Sequence, residues 1–141
     1  MEEAKKKRGR TRVFASREDE ISYEIIGAAI EVHKTLGGPG LLESVYEEAL
    51  VWELENRGLT IERQVNVPIK YKEQFLATPL RVDVLVEKLV VVENKAVTAY
   101  NPIFETQTLT YLRLMNLRLG LVINFGEKFV KEGVHRVVNG L

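Results

Sequence analysis

The chain has 141 residues, enough for one ordinary domain with its own core. It is 45% hydrophobic and 28% charged, and it has no cysteine, which excludes a disulfide scaffold and any thiolate metal site. No apolar run approaches the ~20 residues of a membrane span, and the N-terminus lacks the apolar segment of a signal peptide. A cytoplasmic protein without a membrane partner is expected. The zero net charge is uneven, because residues 1–12 carry +4 and residues 13–141 carry −4. Residues 1–15 therefore read as a basic tail that could touch phosphates or simply aid solubility, with a single domain over 16–141.

Ser16, followed by Arg17, Glu18 and Asp19, has the chemistry of a helix start. Ile21, Ile25, Ala28, Ala29, Val32 and Leu36 recur at helical spacing and predict an amphipathic helix over 17–35, ended by Gly37, Gly38, Pro39 and Gly40. His33 falls on its flank and takes no assigned role. A second helix is predicted over 42–57, with Gly58 after it and Tyr46, Leu50 and Leu54 as its apolar stripe. Glu43 lies three residues before Tyr46 and shares that face. On spacing alone the helix dipole accounts for it, favouring an acid at an N-terminus by about 0.3–1 kcal/mol.

Residues 60–73 alternate apolar and polar around Pro68, which suits one or two edge-type strands. Leu80 to Lys95 reads as a β-hairpin with its turn at Glu87, Lys88 and Leu89. Pairing about Lys88 sets Val86 against Val90, Val84 against Val92, and Asp83 against Glu93. One face is then valine (Val82, Val84, Val86, Val90, Val92) until Asn94, and the other carries Asp83, Glu93 and Lys95. Opposed carboxylates with Cβ atoms roughly 4.5–5.5 Å apart repel, and a divalent cation is the simplest reason to keep them. An ion pair of Lys95 with one acid, worth about 0–1 kcal/mol at a surface, would leave the other acid unexplained.

Asn101-Pro102 opens a helix predicted to run to about Asn116, with Ile103, Phe104, Leu114 and Met115 as its apolar face. Gln107 and Tyr111 fall in the middle of that face. The Gln107 amide must either meet backbone groups in the core or border a polar site, and the charges nearby favour the second. Leu119 to Phe125 suits a strand buried on both faces and closed by Gly126; Val134 to Val138 suits an edge strand on which His135 meets solvent or a neighbour. This order of elements predicts an α/β domain, a central mixed sheet with helices on both faces.

An acid on one strand followed by Glu-x-Lys on the next, here Asp83 and Glu93-Asn94-Lys95, resembles the PD-(D/E)xK nuclease superfamily, with Val82 where the name has proline. Gly40-Leu41-Leu42-Glu43-Ser44-Val45-Tyr46 is similar to the G-x-x-E-x-x-Y motif of the GxxExxY family, a branch of that superfamily. The likeness continues through Ile123-Asn124-Phe125-Gly126 and spans about Glu20 to Val138. Gln107-x-x-x-Tyr111 resembles the Q-x-x-x-Y element of nuclease domains in bacterial recombination helicases.

The resemblance implies a restriction-endonuclease-like core and a nuclease acting on DNA. It implies that Glu43, Asp83 and Glu93 hold one or two Mg²⁺ ions, which Mn²⁺ would replace, and so displaces the dipole reading of Glu43. Lys95 would orient a water or stabilise charge on the phosphate, and Gln107 and Tyr111 would border the site. The alternative is a non-catalytic accessory or binding module on the same fold. The acidic domain also leaves room for a protein partner that supplies the basic surface, since DNA affinity leans on Lys and Arg contacts to phosphates.

Overall fold

A computed structural model describes residues 12–141, so most of the expected basic tail, residues 1–11, lies outside the described residues. From Arg12 the chain runs against the first helix, with the Arg12 guanidinium 4.3 Å from the Tyr23 ring centre and Phe14 against the same ring. That helix, α1, spans Arg17–Thr35 and starts where the Ser16 hydroxyl accepts the Asp19 N–H at 3.0 Å. Two glycines at positive φ, Gly37 and Gly38, turn the chain towards α2, Glu43–Asn56. Among the described residues no helix is long and apolar enough to cross a membrane.

The sheet contains β1 (Ile61–Val67), β4 (Leu80–Val86), β5 (Val90–Lys95), β6 (Leu119–Asn124) and β7 (Val134–Val138), in the order β1-β4-β5-β6-β7. Only β5 and β6 are parallel, and α3 (Ile103–Met115) makes the crossover between them. Helices α1 and α2 cover one face through Ile21, Ile25, Leu50 and Leu54 on Val84, Val92 and Leu121. Helix α3 covers the other, where Leu112 meets Leu85, Val91 and Val122. With both faces covered, every residue of β6 is buried, as its apolar run requires. Gly120 permits the approach of α3, since a Cβ there would stand 2.7 Å from the Thr108 Cγ2. The architecture is the mixed α/β arrangement that the element order predicts.

The hairpin register is as expected, with Val86 opposite Val90 and Val84 opposite Val92. Its all-valine face is not. Val82 packs with the α3-side cluster, whereas Val84, Val86, Val90 and Val92 face α1 and α2. The neighbouring strand breaks its alternation at the same level. Gln64 has φ 50°, and the β1–β4 ladder lacks the pair that Gln64 would make with Asp83. A left-handed residue breaks the regular alternation, and Val65, Val67 and Val82 lean towards α3 while Ile61 and Val84 lean the other way.

Two further expectations are corrected. On α3 the buried face centres on Thr108 and Leu112, while Ile103, Leu114 and Gln107 are exposed. The apolar stripe is thus rotated from the predicted one, because Gly120 accepts the short Thr108 at closest approach. His33 is buried rather than flanking, with its Nε2 3.1 Å from the Phe125 carbonyl oxygen. Residues 60–73 hold two strands, as expected: β1 ends before Pro68 at the sheet edge, and β2 (Lys70–Tyr71) pairs beyond it with β3 (Gln74–Phe75) in a separate hairpin.

Candidate active site

Asp83 and Glu93 meet where the β4–β5 ladder stops. Past the Val84–Val92 pair, each strand offers its backbone N–H to the other's carboxylate. Asp83 N–H donates to Glu93 Oε2 at 3.0 Å, and Asn94 N–H donates to Asp83 Oδ2 at 2.9 Å. These bonds aim the carboxylates and satisfy N–H groups that the opened ladder would leave bare. Asp83 Oδ1 and Glu93 Oε1 accept no hydrogen bond among the described residues. Burial is the main cause of the raised pKa of Glu93, pushed up to about 8, and the Asp83 charge adds to it. Asp83 is raised as well, by burial against the pull of the Asn94 N–H, with the Glu47 charge adding to the rise.

Lys95 makes no ion pair with either acid among the described residues; its ammonium lies over the Phe104 ring, 4.4 Å from the centroid. The Ile123-Asn124-Phe125-Gly126 segment holds its main chain. Phe125 N–H donates to the Lys95 carbonyl at 2.7 Å. The Asn124 side chain accepts from Val97 N–H and donates to the Val97 carbonyl, each at 3.0 Å, which clamps the loop leaving β5. Gly126 is needed for this clamp, because a Cβ there would fall 2.2 Å from the Val97 carbonyl oxygen.

Glu43 enters from α2 by the same scaffold. Tyr46, three residues on, stacks on Phe125 with ring centroids 4.7 Å apart. Its hydroxyl donates to the Gly38 carbonyl at 2.6 Å and accepts the Leu41 N–H at 3.2 Å, pinning the turn ahead of Glu43. The tyrosine of the G-x-x-E-x-x-Y segment is therefore a positioning residue. Glu43 is exposed as a residue, yet its pKa is raised, first by desolvation and then by the Asp83 charge, while Lys95 opposes the rise. Between the turn and the clamped loop lies a groove of about 410 Å³ lined by Pro39, Gly40, Leu41, Ala96, Thr98 and Gly126. Glu43, Asp83 and Glu93 line neither this groove nor the larger one of about 550 Å³ between α1 and α2.

Tyr111 borders the acids, with its pKa raised by burial and then by the charges of Glu93 and Asp83, so its hydroxyl keeps its proton. Phe104, Gln107 and Tyr111 lie at three- and four-residue spacing and make one stripe along α3, running past Lys95 and Glu93. Gln107 is exposed on that stripe, so its amide carries no burial cost and is open to a ligand. Glu47 was not among the expected residues. It is buried on α2, accepts from Arg63 at 3.2 Å and Gln64 Nε2 at 3.0 Å, and its charge bears on Asp83, Glu93 and Glu43. Its signal in the sequence is the Glu43-x-x-x-Glu47 spacing, which sets a second acid inside an apolar stripe.

Among the described residues no three His, Cys, Asp or Glu side chains gather closely enough to form a ready-made metal cage. The donor chemistry nevertheless suits a hard divalent cation. Two opposed acids each keep one oxygen free and a third acid stands in electrostatic range; burial raises all three pKa values, with the Asp83 charge adding at Glu43 and Glu93 and the Glu47 charge at Asp83. The opposed pair favours a proton or a cation between its members.

A five-stranded mixed sheet with helices on both faces, carrying an acid and a Glu-x-Lys on adjacent strands, defines a restriction-endonuclease-like domain. The family model of the PD-(D/E)XK nuclease superfamily matches residues 19–137, and the chain belongs to that superfamily. Its members are usually nucleases and generally use divalent metals such as Mg²⁺. No curated protein matches the chain. The crystal structure of a protein designated SSO0001 is similar over 86% of this chain and 79% of that one, at 13% identity and a TM-score of 0.42.

Proposed function

We propose that this chain is a Mg²⁺-dependent nuclease that hydrolyses phosphodiester bonds of DNA, in the GxxExxY branch of its superfamily. The observation that carries the reading is the opposed pair: Asp83 and Glu93 are aimed by each other's strands, keep one free oxygen apiece, and make no ion pair with Lys95 among the described residues. A surface ion pair does not account for that arrangement. The G-x-x-E-x-x-Y segment supports the branch, since Tyr46 and Phe125 tie Glu43 to the same scaffold as Lys95.

In this reading Asp83, Glu93 and Glu43 offer the carboxylate oxygens for the cation. When bound, Mg²⁺ supplies Lewis-acid stabilisation of the phosphoryl oxygens and lowers the pKa of a bound water. Lys95, with its ammonium free of carboxylates, donates to a non-bridging phosphate oxygen or orients the attacking water. The neutral Tyr111 hydroxyl and the exposed Gln107 amide are donors along the flank of the site, where they hold the phosphate backbone in register.

The test is calorimetric titration of Mn²⁺ and Mg²⁺ into the wild type and the Asp83→Asn/Glu93→Gln double variant, followed by a cleavage screen on DNA and RNA. Saturable binding that the double variant loses, with metal-dependent cleavage, supports the reading. Absence of binding both with and without a non-cleavable oligonucleotide would move the assignment to an accessory or binding module.

A further inference from the structure

The nuclease reading leaves one exposed element without a task. From Lys70 to Pro79 every residue is exposed, yet this stretch holds the β2–β3 hairpin and three large apolar side chains. Tyr71 is 60% and Phe75 70% exposed, and Leu76 is exposed beside them. An isolated two-residue ladder gains little stability by itself, and here neither ring is used to bury it. Ile69 anchors the hairpin on the α3-side core, and the Leu76 N–H donates to the Ile69 carbonyl at 2.9 Å.

Register gives the rings opposite directions. Lys70 is paired with Phe75 and Tyr71 with Gln74, so Phe75 and Tyr71 present their faces on the two sides of the hairpin. The same stretch is locally basic. Residues 70–81 hold Lys70, Lys72 and Arg81 against one acid, Glu73, in a domain whose residues 13–141 carry −4. Position completes the case. Strand β4 is antiparallel to β5, so the hairpin feeds into β4 at the sheet end where β5 delivers Glu93 and Lys95. At about 3.3 Å per residue, Leu80 stands roughly 10 Å along the strand from Asp83, and Phe75 no more than roughly 17 Å beyond it.

Resting on the nuclease reading, we propose that the Lys70–Phe75 hairpin is a stacking platform for unpaired nucleobases, which directs the site to single-stranded or unpaired segments of its nucleic-acid substrate. Aromatic faces accept any base, and neighbouring lysines hold the phosphates between them. A duplex, whose bases are already stacked, has little to offer the rings.

The experiment uses the full chain and its Tyr71→Ala/Phe75→Ala variant, with a fluorescein-labelled oligothymidylate and a duplex of equal length, in Ca²⁺ to follow binding without cleavage. The variant should bind the single strand at least tenfold more weakly, change duplex binding by less than threefold, and regain the preference as Tyr71→Phe/Phe75→Trp. A 2-aminopurine base in the single strand should change its fluorescence on binding to the wild type and not to the variant. Equal losses on both probes, or no loss, would overturn the platform. Cleavage by the wild type with an unchanged variant would overturn it while sparing the nuclease reading. Ring-dependent binding without cleavage under any divalent cation would keep the platform and remove the nuclease.

Discussion

Glu93 is the residue at which the site and the stability of the domain are coupled. Its folded pKa stands at about 8, above an ordinary value of 4.5. Below the ordinary value it is protonated in both states and costs nothing. As pH rises through the window, the unfolded chain releases the proton first, so stability falls between about pH 4.5 and 8 and is flat above that. The penalty is on the order of a few kcal/mol for so buried a group. Urea unfolding of metal-free protein should therefore give a lower stability at pH 8 than at pH 5, and Glu93→Gln should flatten that difference. At pH 8, Mg²⁺ at a hundredfold excess over its dissociation constant should restore about 2.7 kcal/mol. Asp83→Asn should abolish this rescue and leave the fold intact or slightly stabilised, because the amide oxygen can still accept the Asn94 N–H. Lys95→Ala makes the opposite separation: calorimetry should record unchanged cation binding, while cleavage falls by roughly 100-fold or more.

At the scale of elements, the scaffold behind the acids is as specific as the acids. Gly126→Ala would drive a Cβ into the Val97 backbone and push the clamped loop away from Asn124. The expected loss is about 1–3 kcal/mol in denaturant unfolding, with a larger fractional loss of cleavage, since Phe125 N–H and the Lys95 carbonyl shift together. The β4–β5 turn works the other way. Glu87 and Lys88 hold φ of 54° and 57°, a conformation that costs an L-residue roughly 1–2 kcal/mol. Glu87 is retained by its carboxylate, which accepts the Thr60 N–H at 2.6 Å and meets Arg17. Among the described residues the Lys88 side chain makes only an exposed ion pair with Glu62, so Lys88→Gly should stabilise the domain by up to about 1 kcal/mol in the same assay.

At the scale of the whole molecule, residues 13–141 carry −4, so the proposed binding of a polyanion would rest on local basic stretches. Residues 1–11 carry five basic side chains, and residues 70–81 carry three. If the first group binds phosphates, deleting residues 1–11 should weaken DNA binding at every sequence tested. The slope of log affinity against log salt should then become shallower by roughly 0.9 for each phosphate the tail had neutralised. An unchanged slope, measured by anisotropy between 50 and 200 mM salt (roughly the working range of that effect), would leave the tail without a part in binding.

The helices, the buried β6 and the hairpin register were legible because each rests on local periodicity: Ile21 to Val32 repeat every turn, and Val84 to Val92 alternate about a turn. The opposition of Asp83 and Glu93 was legible because like charges facing each other on a valine hairpin are costly and therefore conspicuous. The face of Val82 was not, since the alternation breaks between Val82 and Val84, level with the left-handed Gln64 of another strand. Nor was Glu47, whose partners Arg63 and Gln64 are 16 and 17 residues away. Sequence left Gln107 between the core and the border of a polar site; its exposure follows from Gly120 on a distant strand, which helps decide which side of α3 is pressed against the sheet. Sequence alone determined the elements and the chemistry they bear, which follow from neighbours a turn or a pleat apart. Only the tertiary structure decided which groups meet, because contacts such as Tyr46 on Phe125 or Asn124 on Val97 depend on how separate elements pack, and no local pattern records that.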